Sequence, residues 1–330
     1  MIDFSRITVY LGPNRRTRTA GGFPREGAME PNANPTPDYF PAHHRALMTD
    51  LYQLTMAAGY FAHGLTRPAT FELFVRRITP RRNYLVCAGL AQALAYLEGL
   101  RFGEDEIRYL REHPSFAHVA PVFYDYLRNF RFTGDVWAAP EGSLIFSDEP
   151  FLQVTAPMIE AQIVETYLLS MVNFQTMIAT KAARVVQSAS DRQVIDFGTR
   201  RAHGPEAGVL AARACYVGGC VGTSNVMAGL AMGIPTFGTI AHSWVMAFDD
   251  ETESFRRYAE VFPDSSTFLI DTYDLAAGAE AATRLGAACR GVRIDAGNLF
   301  EGSRQVRAIL DAHGLQAARI VASSDLNEFI

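Results

Sequence analysis

The chain has 330 residues, of which 48% are hydrophobic and 20% are charged, a composition typical of a globular protein with a sizeable core. Its net charge of -5 provides no basic field for nucleic acid or an anionic membrane surface, and no apolar run approaches the roughly 20 residues that span a bilayer. The cysteines form no CxxC pair, so the sequence predicts buried free thiols, no redox or metal motif and a reducing cytoplasmic location; they are Cys87, Cys215, Cys220 and Cys289.

The first 44 residues differ in composition from the rest of the chain. Three arginines precede a stretch rich in Gly, Asn and Pro, in which the prolines interrupt any regular element; these residues are Arg15, Arg16, Arg18, Pro31, Pro35, Pro37 and Pro41. We predict a disordered extension over 1–44, an N-terminal α/β domain over 45–155 and a second domain over 156–330.

Ordered elements are predicted from about residue 47 onwards. The apolar spacing over 49–63 predicts a helix that Thr49 or Asp50 caps. A long helix is predicted from Pro157 to Ser188, because proline is well tolerated in the first turn. The other elements predicted in this half are a strand over 69–75, a helix over 89–97 and β structure with turns over 130–155.

Short β-rich runs alternate with small-residue helices in the second half of the chain; the runs cover 194–201, 235–243, 267–272, 291–298 and 319–325, with helices predicted over 275–285 and 301–313. This alternation predicts a parallel sheet. About five βα-type units are present, whereas a closed barrel needs about eight strands. The predicted fold class is α/β: an irregular, incomplete TIM-like βα-barrel with a smaller mixed α/β N-terminal domain.

Charged and polar side chains end these runs, at the position where βα-barrels place their chemistry. The set comprises Arg200, Arg201, His242, Asp271, Arg293, Asp295, Ser324 and Asp325. Arginine pairs in a bidentate way with phosphate and carboxylate, and carboxylates beside phosphates suit Mg²⁺. The residues alone therefore predict an anionic, phosphorylated substrate and a divalent metal, although any one of them could instead form a structural ion pair.

Six short segments carry a more specific signal: Thr49-Asp50-Leu51-Tyr52-Gln53-Leu54-Thr55-Met56, Phe71-Glu72-Leu73-Phe74-Val75-Arg76-Arg77, Asp196-Phe197-Gly198-Thr199-Arg200-Arg201, Val221-Gly222-Thr223-Ser224-Asn225-Val226, Gly238-Thr239-Ile240-Ala241-His242-Ser243 and Val292-Arg293-Ile294-Asp295. In this order they resemble segments of the nicotinate phosphoribosyltransferase family, and the resemblance covers about residues 47–330. Family sequences continue further, so the resemblance implies a C-terminally truncated member. It also implies synthesis of nicotinate mononucleotide from nicotinate and phosphoribosyl pyrophosphate, with ATP hydrolysis, in NAD salvage.

The resemblance implies roles for side chains in the N-terminal segments. Arg200 would hold the phosphates of phosphoribosyl pyrophosphate, with Arg201 also in the substrate site. Phe197 would lie against one face of the pyridine ring. Tyr52 would cover the other face, with Asp50 close by, as a contribution of the second subunit of a homodimer with shared active sites.

The resemblance implies roles in the C-terminal segments as well. Arg293 would pair with the nicotinate carboxylate, and Thr239 would line the same pocket. His242 would be the histidine that ATP phosphorylates. Asp295 would stand near the ribose and the Mg²⁺ ion, as a possible metal ligand.

Ser224 bears on the choice of base. The resemblance implies that nicotinamide-specific relatives carry an aspartate at this place, and a serine removes the charge that would repel a carboxylate. Ser224 therefore favours nicotinate over nicotinamide, although it could instead cap the helix that follows.

Three alternatives remain open. A truncated remnant could fold, bind ligand or dimerise without turnover. A decarboxylating quinolinate enzyme of related architecture would need a more cationic pocket, and no lysine accompanies Arg293. An aldolase would need a Schiff-base lysine at a strand end, but Lys181, the only lysine in the chain, falls in the predicted long helix.

Overall fold

The computed structural model describes residues 7–10, 45–80 and 82–329. The chain forms two compact units that divide between Thr236 and Phe237. Most of the extension predicted over 1–44 lies outside the described residues, and the four that are described, Ile7–Tyr10, form a strand rather than a disordered segment. The boundary predicted between residues 155 and 156 lies inside the first unit.

The strands of the first unit are β1 (Ile7–Tyr10), β2 (Pro68–Phe74), β3 (Leu85–Val86), β4 (Asp135–Ala138), β5 (Leu144–Ile145), β6 (Pro150–Pro157), β7 (Ile195–Asp196) and β8 (Gly222–Thr223). Its helices are α1 (Leu51–Ala62), α2 (Leu90–Gly99), α3 (Glu104–Glu112), α4 (Pro121–Arg128), α5 (Met158–Ser188), α6 (Pro205–Val217) and α7 (Val226–Met232), and short 3-10 helices cover Arg45–Leu47, Pro114–Phe116 and Thr199–Arg201. The helices and strands predicted before residue 190 are confirmed within a few residues at their ends.

An antiparallel sheet with the order β1-β2-β6-β4 forms one layer of the first unit. Successive side chains of β2 point to opposite faces, and the face that carries Ala69, Phe71 and Leu73 is buried. The alternation predicted over 69–75 arises from this half-buried sheet. A second, two-stranded antiparallel sheet pairs β3 with β5.

The long helix α5 joins the elements on either side of it. It begins after Pro157, as predicted. It contacts α1, α2 and β2, which precede it in the chain, and α6, which follows it. Its Thr180 Oγ1 accepts a hydrogen bond from the backbone N–H of Val86 at 2.9 Å, which anchors β3. Because one helix packs against both halves, a domain boundary at its start would cut through the first core.

The second unit contains strands β9 (Thr267–Leu269), β10 (Gly291–Ile294) and β11 (Arg319–Ala322), helices α8 (His242–Val245), α9 (Glu251–Val261), α10 (Leu275–Thr283) and α11 (Leu299–Ala312), and a short 3-10 helix at Gly286–Ala288. The strands are parallel in the order β11-β10-β9. Their core includes stacked rings of Phe255 and Phe268, whose centroids lie 4.8 Å apart. The strands and helices predicted over 267–325 are confirmed.

Parallel strands followed by helices occur in both units, which confirms a mixed α/β protein. In the first unit β7 pairs with β8, and one further bridge joins Thr223 to Thr236. The β-rich run predicted over 235–243 is wrong beyond that bridge: Pro235 has no N–H for a ladder, and α8 begins at His242. Among the described strands no pairing closes a barrel, so the barrel stays a prediction. None of the described helices is long and apolar enough to cross a membrane.

Candidate functional site

Arg293 is the centre of a hydrogen-bond network in the second unit. Its side chain projects from β10 and is 13% exposed. Nε donates to Ser323 Oγ at 2.7 Å, Nη1 donates to Thr239 Oγ1 at 3.1 Å and Nη2 donates to Asp295 Oδ1. Because a guanidinium carries five N–H groups in one plane, these bonds fix its orientation and leave one N–H on each terminal nitrogen for a ligand.

Asp295 follows β10 directly and is held as a carboxylate. Its Oδ1 accepts from Arg293 and lies 2.6 Å from Ser323 Oγ. Burial raises the pKa of Asp295, but hydrogen bonds from Ser323 and Arg293, together with the charges of Arg293 and His242, outweigh burial and lower the pKa below its usual value. Asp295 is therefore negatively charged at neutral pH. The predicted strand-end serine, Ser324, forms none of these bonds; its neighbour Ser323 does.

His242 begins α8 and faces the same carboxylate. Its Nε2 lies 3.7 Å from Asp295 Oδ2, and its Nδ1 lies 3.2 Å from Thr272 Oγ1. The side chain is 43% exposed, so one face of the imidazole is open to solvent. Either tautomer can make the contact with Thr272; when Nδ1 carries the proton and donates, the lone pair is on Nε2, as a phosphoryl acceptor requires.

Asp271 holds the loop that follows β10. Its Oδ2 accepts from the backbone N–H groups of Asp295 at 2.6 Å and Ala296 at 2.9 Å. Its Oδ1 is buried and has no hydrogen-bond partner among the described residues. Glu251, at the start of α9, also has a buried oxygen without a described partner. Burial, followed by the charges of Asp250, Asp271 and Asp274, raises the pKa of Glu251 to about 7.

The strand ends of the first unit form a second hydrogen-bond network around Asp196, and its donors are uncharged groups. Oδ1 accepts from the backbone N–H of Gly198 at 2.9 Å, and Oδ2 accepts from Thr223 Oγ1 at 2.9 Å. Asn225 donates through Nδ2 to Thr199 Oγ1 at 3.2 Å. Asp196 thus uses both oxygens to close the turn after β7 and to join it to β8.

Ser224 does not cap the helix that follows it. The N-cap of α7 is Asn225, whose Oδ1 accepts from the backbone N–H of Ala228 at 2.8 Å. The backbone N–H of Ser224 donates to Asp196 O at 2.8 Å. Its hydroxyl forms no hydrogen bond with a described residue, so the capping alternative is wrong and the hydroxyl is open to a ligand.

The predicted phosphate and ring contacts lie on the turn between β7 and α6. Arg200 and Arg201 are exposed, and Phe197 is half-buried. Arg200 forms no hydrogen bond or ion pair with the part of the chain that the structure describes. Its charge is therefore available to a bound anion.

Tyr52 and Asp50 lie at the start of α1 in a network with α5. Gln53 Nε2 lies 2.9 Å from Tyr52 OH and 2.8 Å from Glu165 Oε2, and Thr166 Oγ1 donates to Asp50 Oδ2 at 2.8 Å. The Tyr52 ring is nevertheless 49% exposed. No hydrogen bond, ion pair or ring contact between described residues joins Tyr52 or Asp50 to Phe197 or Arg200.

Asp295 fits one part of a magnesium site. No group of three or more His, Cys, Asp or Glu side chains in the described ranges is placed to hold a metal ion. Mg²⁺ is often bound through one or two carboxylates together with substrate phosphates. Asp295 is ionised and 24% exposed, so it can supply one such oxygen when a phosphorylated ligand supplies others.

Two family models match most of the chain. The nicotinate phosphoribosyltransferase N-terminal domain matches residues 47–173, and the nicotinate phosphoribosyltransferase family model matches residues 192–314. The nicotinate phosphoribosyltransferase pncB2 of Mycobacterium tuberculosis H37Rv is 48% identical over 292 residues, which cover 87% of this chain and 62% of that protein. The chain thus spans less than two thirds of the length of this relative.

Solved structures give the same result for the fold. A crystal structure of human nicotinic acid phosphoribosyltransferase is similar with a TM-score of 0.77 and 31% identity, over 85% of this chain and 69% of the human chain. The nicotinate-nucleotide pyrophosphorylase of Pyrococcus furiosus is similar with a TM-score of 0.72 and 24% identity, over 86% of this chain and 67% of that one. The second similarity concerns the fold alone.

Proposed function

The chain belongs to the nicotinate phosphoribosyltransferase family, and on that premise we propose that it forms nicotinate mononucleotide from nicotinate and phosphoribosyl pyrophosphate, with ATP hydrolysis, in NAD salvage. The observation that carries the proposal is the fixed guanidinium of Arg293. The incomplete βα-barrel remains part of this proposal. A cytoplasmic homodimer with shared active sites is also part of this proposal. The free cysteines support the cytoplasmic location, and the exposed Tyr52 ring supports a contact with a second subunit.

Arg293 would bind the nicotinate carboxylate. Three of its N–H groups are already used by Ser323, Thr239 and Asp295. The two that remain match a carboxylate, and a planar guanidinium favours such paired hydrogen bonds. Since the guanidinium is held before the ligand arrives, little side-chain entropy is lost on binding. Thr239 would line the same pocket.

The substrate ring would be oriented by residues of the first unit. Phe197 would lie against one face of the pyridine, and Tyr52 of a second subunit would cover the other, with Asp50 close by. Stacking and the carboxylate contact would together direct the ring nitrogen towards the anomeric carbon. The uncharged Ser224 hydroxyl supports nicotinate as the base, since an anionic side chain there would repel a carboxylate.

The leaving pyrophosphate would be bound by Arg200 and Arg201. Charge develops on this group as the bond to the anomeric carbon breaks, and fixed cations stabilise that charge. Mg²⁺, held in part by Asp295, would supply further neutralisation of the phosphates. The exposed Arg200, which has no partner among the described residues, supports this role.

His242 would couple the reaction to ATP. Its Nε2 would attack the γ-phosphorus of ATP, a nitrogen–phosphorus bond would form, and ADP would leave. Asp295, 3.7 Å from Nε2, would favour the positive charge that develops on the imidazole during attack. The partly exposed ring supports access for the nucleotide.

The test is a product assay on the purified 330-residue chain. Nicotinate, phosphoribosyl pyrophosphate and Mg²⁺ are supplied with and without ATP, and nicotinate mononucleotide is separated by chromatography. We expect product, a higher rate with ATP and little product when nicotinamide replaces nicotinate. If the folded protein binds nicotinate but gives no product, the enzymatic proposal fails and the inactive, ligand-binding alternative replaces it.

A further inference from the structure

The C-terminus of α6 brings two cysteines together. The backbone N–H of Gly219 donates to Tyr216 O at 3.1 Å, and that of Cys220 donates to Cys215 O at 3.0 Å. Gly219 has φ of 102°, which glycine adopts without strain. These features define a Schellman motif, in which the residue two positions after the cap packs against the third residue from the helix end. In this chain the two contact positions are Cys220 and Cys215.

The two thiols interact with each other and differ from the other cysteines. The interaction with Cys215 lowers the pKa of Cys220, although burial and Asp196 oppose that shift. The same interaction, together with burial and Asp196, raises the pKa of Cys215. By contrast, burial raises the pKa of Cys87 to about 12 and that of Cys289 to about 11. A thiolate therefore forms more readily within the pair.

The backbone around the pair is closely packed. A Cβ on Gly218 would lie 2.5 Å from Ala179 O, so the end of α6 packs directly on α5 and has little freedom to move. Cys215 is half-buried and Cys220 is buried. Disulfides require Cα separations of roughly 4.4–6.8 Å, and the closed turn keeps the two residues adjacent.

We propose that Cys215 and Cys220 form a redox site that hydrogen peroxide converts to a disulfide. The Cys220 thiolate attacks one peroxide oxygen, an S–O bond forms, the O–O bond breaks and the departing hydroxide takes a proton to become water. The Cys215 thiol then attacks the sulfenic sulfur, the S–S bond forms, the S–O bond breaks and a second water leaves. Two thiols are oxidised and one peroxide is reduced to two waters.

The bond would act on the connection between α6 and β8. Cys220 is followed closely by β8, whose Thr223 Oγ1 donates to Asp196. A disulfide would tie the start of that connection to α6 and would remove a thiolate from the neighbourhood of the Asp196 carboxylate. This redox site differs from the expectation of no redox motif, which stays a prediction until the pair is tested, and it does not depend on the proposed catalytic function.

The experiment treats the folded, reduced full-length chain with hydrogen peroxide and follows intact mass and the number of thiols alkylated after denaturation. We expect the wild-type protein to lose the mass of two hydrogen atoms and two alkylatable thiols, and dithiothreitol to restore both. Peptide mapping should locate the bond between Cys215 and Cys220. Cys289→Ala is the matched control for a buried thiol outside the pair and should behave like wild type.

Two variants test the assigned roles. In Cys215→Ser, peroxide should leave Cys220 as a sulfenic acid that dimedone traps, whereas Cys220→Ser should give several-fold less dimedone adduct. The proposal is overturned if the wild-type protein only gains oxygen atoms, if the mapped bond involves Cys87 or Cys289, or if a disulfide still forms in Cys215→Ser. The wild-type peptide map decides the outcome even if a variant fails to fold.

Discussion

Two carboxylates stand at the ends of short parallel strands, and their surroundings differ. Asp196, the last residue of β7, accepts only from neutral groups, the backbone of Gly198 and the hydroxyl of Thr223. Asp295, after β10, accepts from the charged Arg293 and from Ser323. The first carboxylate closes a turn, whereas the second orients an arginine. A carboxylate at the end of a short parallel strand therefore orders the backbone in one case and an arginine side chain in the other.

The arginines of the two regions differ in the corresponding way. Arg200 is exposed and has no partner among the described residues, so no described contact fixes its side chain. Arg293 is 13% exposed and bonded to three side chains, so its order is part of the folded state. Removal of Arg293 should affect folding and binding together, and removal of Arg200 should affect binding alone.

The largest effect is expected from Arg293→Ala. The substitution leaves Asp295 half-buried without its cation, which should lower the free energy of unfolding by about 2–4 kcal/mol. It should also raise the KM for nicotinate far more than that for phosphoribosyl pyrophosphate. Denaturant unfolding and steady-state kinetics measure the two effects.

Arg200→Ala is the matched control for Arg293→Ala. Its stability should stay within about 0.5 kcal/mol of wild type, while the KM for phosphoribosyl pyrophosphate rises. Equal losses of stability in the two variants would contradict the view that the fold holds Arg293 in place but not Arg200. Equal effects on both KM values in Arg293→Ala would refute the carboxylate contact.

His242→Ala should abolish the stimulation by ATP and leave a slow basal rate, because the variant lacks the phosphoryl acceptor. A second histidine of the same unit provides the control: His313 is 45% exposed and lies 3.4 Å from Glu280, much as His242 faces Asp295. His313→Ala should retain full stimulation. Radiolabel from γ-labelled ATP should appear on wild-type protein and on His313→Ala only. Stimulation retained by His242→Ala would remove the phosphohistidine role.

The sequence predicted the bounds of helices α1, α2, α5, α10 and α11, and it predicted strands β2, β4, β5, β6, β7, β9, β10 and β11, because hydrophobic spacing is local information. It also located Arg293 and Asp295, since both belong to a strand and the residue after it. Helices α3 and α4 lay outside the predicted elements, although Ile107 and Leu110 of α3 are spaced for one buried face. The helical period of the apolar residues over 100–130 is the signal that predicts both helices.

Side-chain partners were harder to predict than elements. The sequence pointed to Ser324, but Ser323 contacts Arg293, because a shift of one residue along a strand end changes the face on which a side chain lies. The partner of His242, Thr272, is distant in sequence and is brought close only by packing. The cysteine pair depends on the turn that ends α6 at Gly218 and Gly219. These two glycines, which lie between Cys215 and Cys220 in the sequence, are the feature from which the turn could have been predicted.

Asp295 should make stability depend on acid pH. Its folded pKa lies below the usual value, so the stabilisation is fully present above the unfolded pKa of about 3.9 and is lost as pH falls through the lower folded pKa. Asp295→Asn cannot ionise and should lack this dependence. Near pH 6 the variant should be less stable by about 1 kcal/mol, since the carboxylate is partly exposed, and the difference should shrink below pH 4. Unfolding curves that remain parallel across this range would contradict the ion pair with Arg293.

Glu251 gives the smallest effect and the opposite sign. Its folded pKa is raised to about 7, so the folded protein binds a proton more tightly than the unfolded chain. Stabilisation by that proton is present below the unfolded pKa of about 4.3 and is lost as pH rises through about 7. Glu251→Gln resembles the protonated form and should retain it, so at pH 8 the variant should be more stable by about 0.5 kcal/mol after allowance for solvent screening.

The charge of Glu251 also has a favourable effect that works against this gain. A carboxylate in the first turn of α9 is stabilised by the helix dipole by roughly 0.3–1 kcal/mol, so the change of stability with pH is a better measure than its value at one pH. Glu253→Gln, in the same turn, is the control, because hydrogen bonds from Arg256 and Arg257 lower the pKa of Glu253. Above pH 7, the free energy of unfolding of Glu253→Gln should not exceed that of the wild-type protein. If the stabilities of Glu251→Gln and wild type change in parallel from pH 5 to pH 8, the charges of Glu251 and Asp271 do not repel each other measurably. The second unit would then have one pH-sensitive charged centre, at Asp295, rather than two.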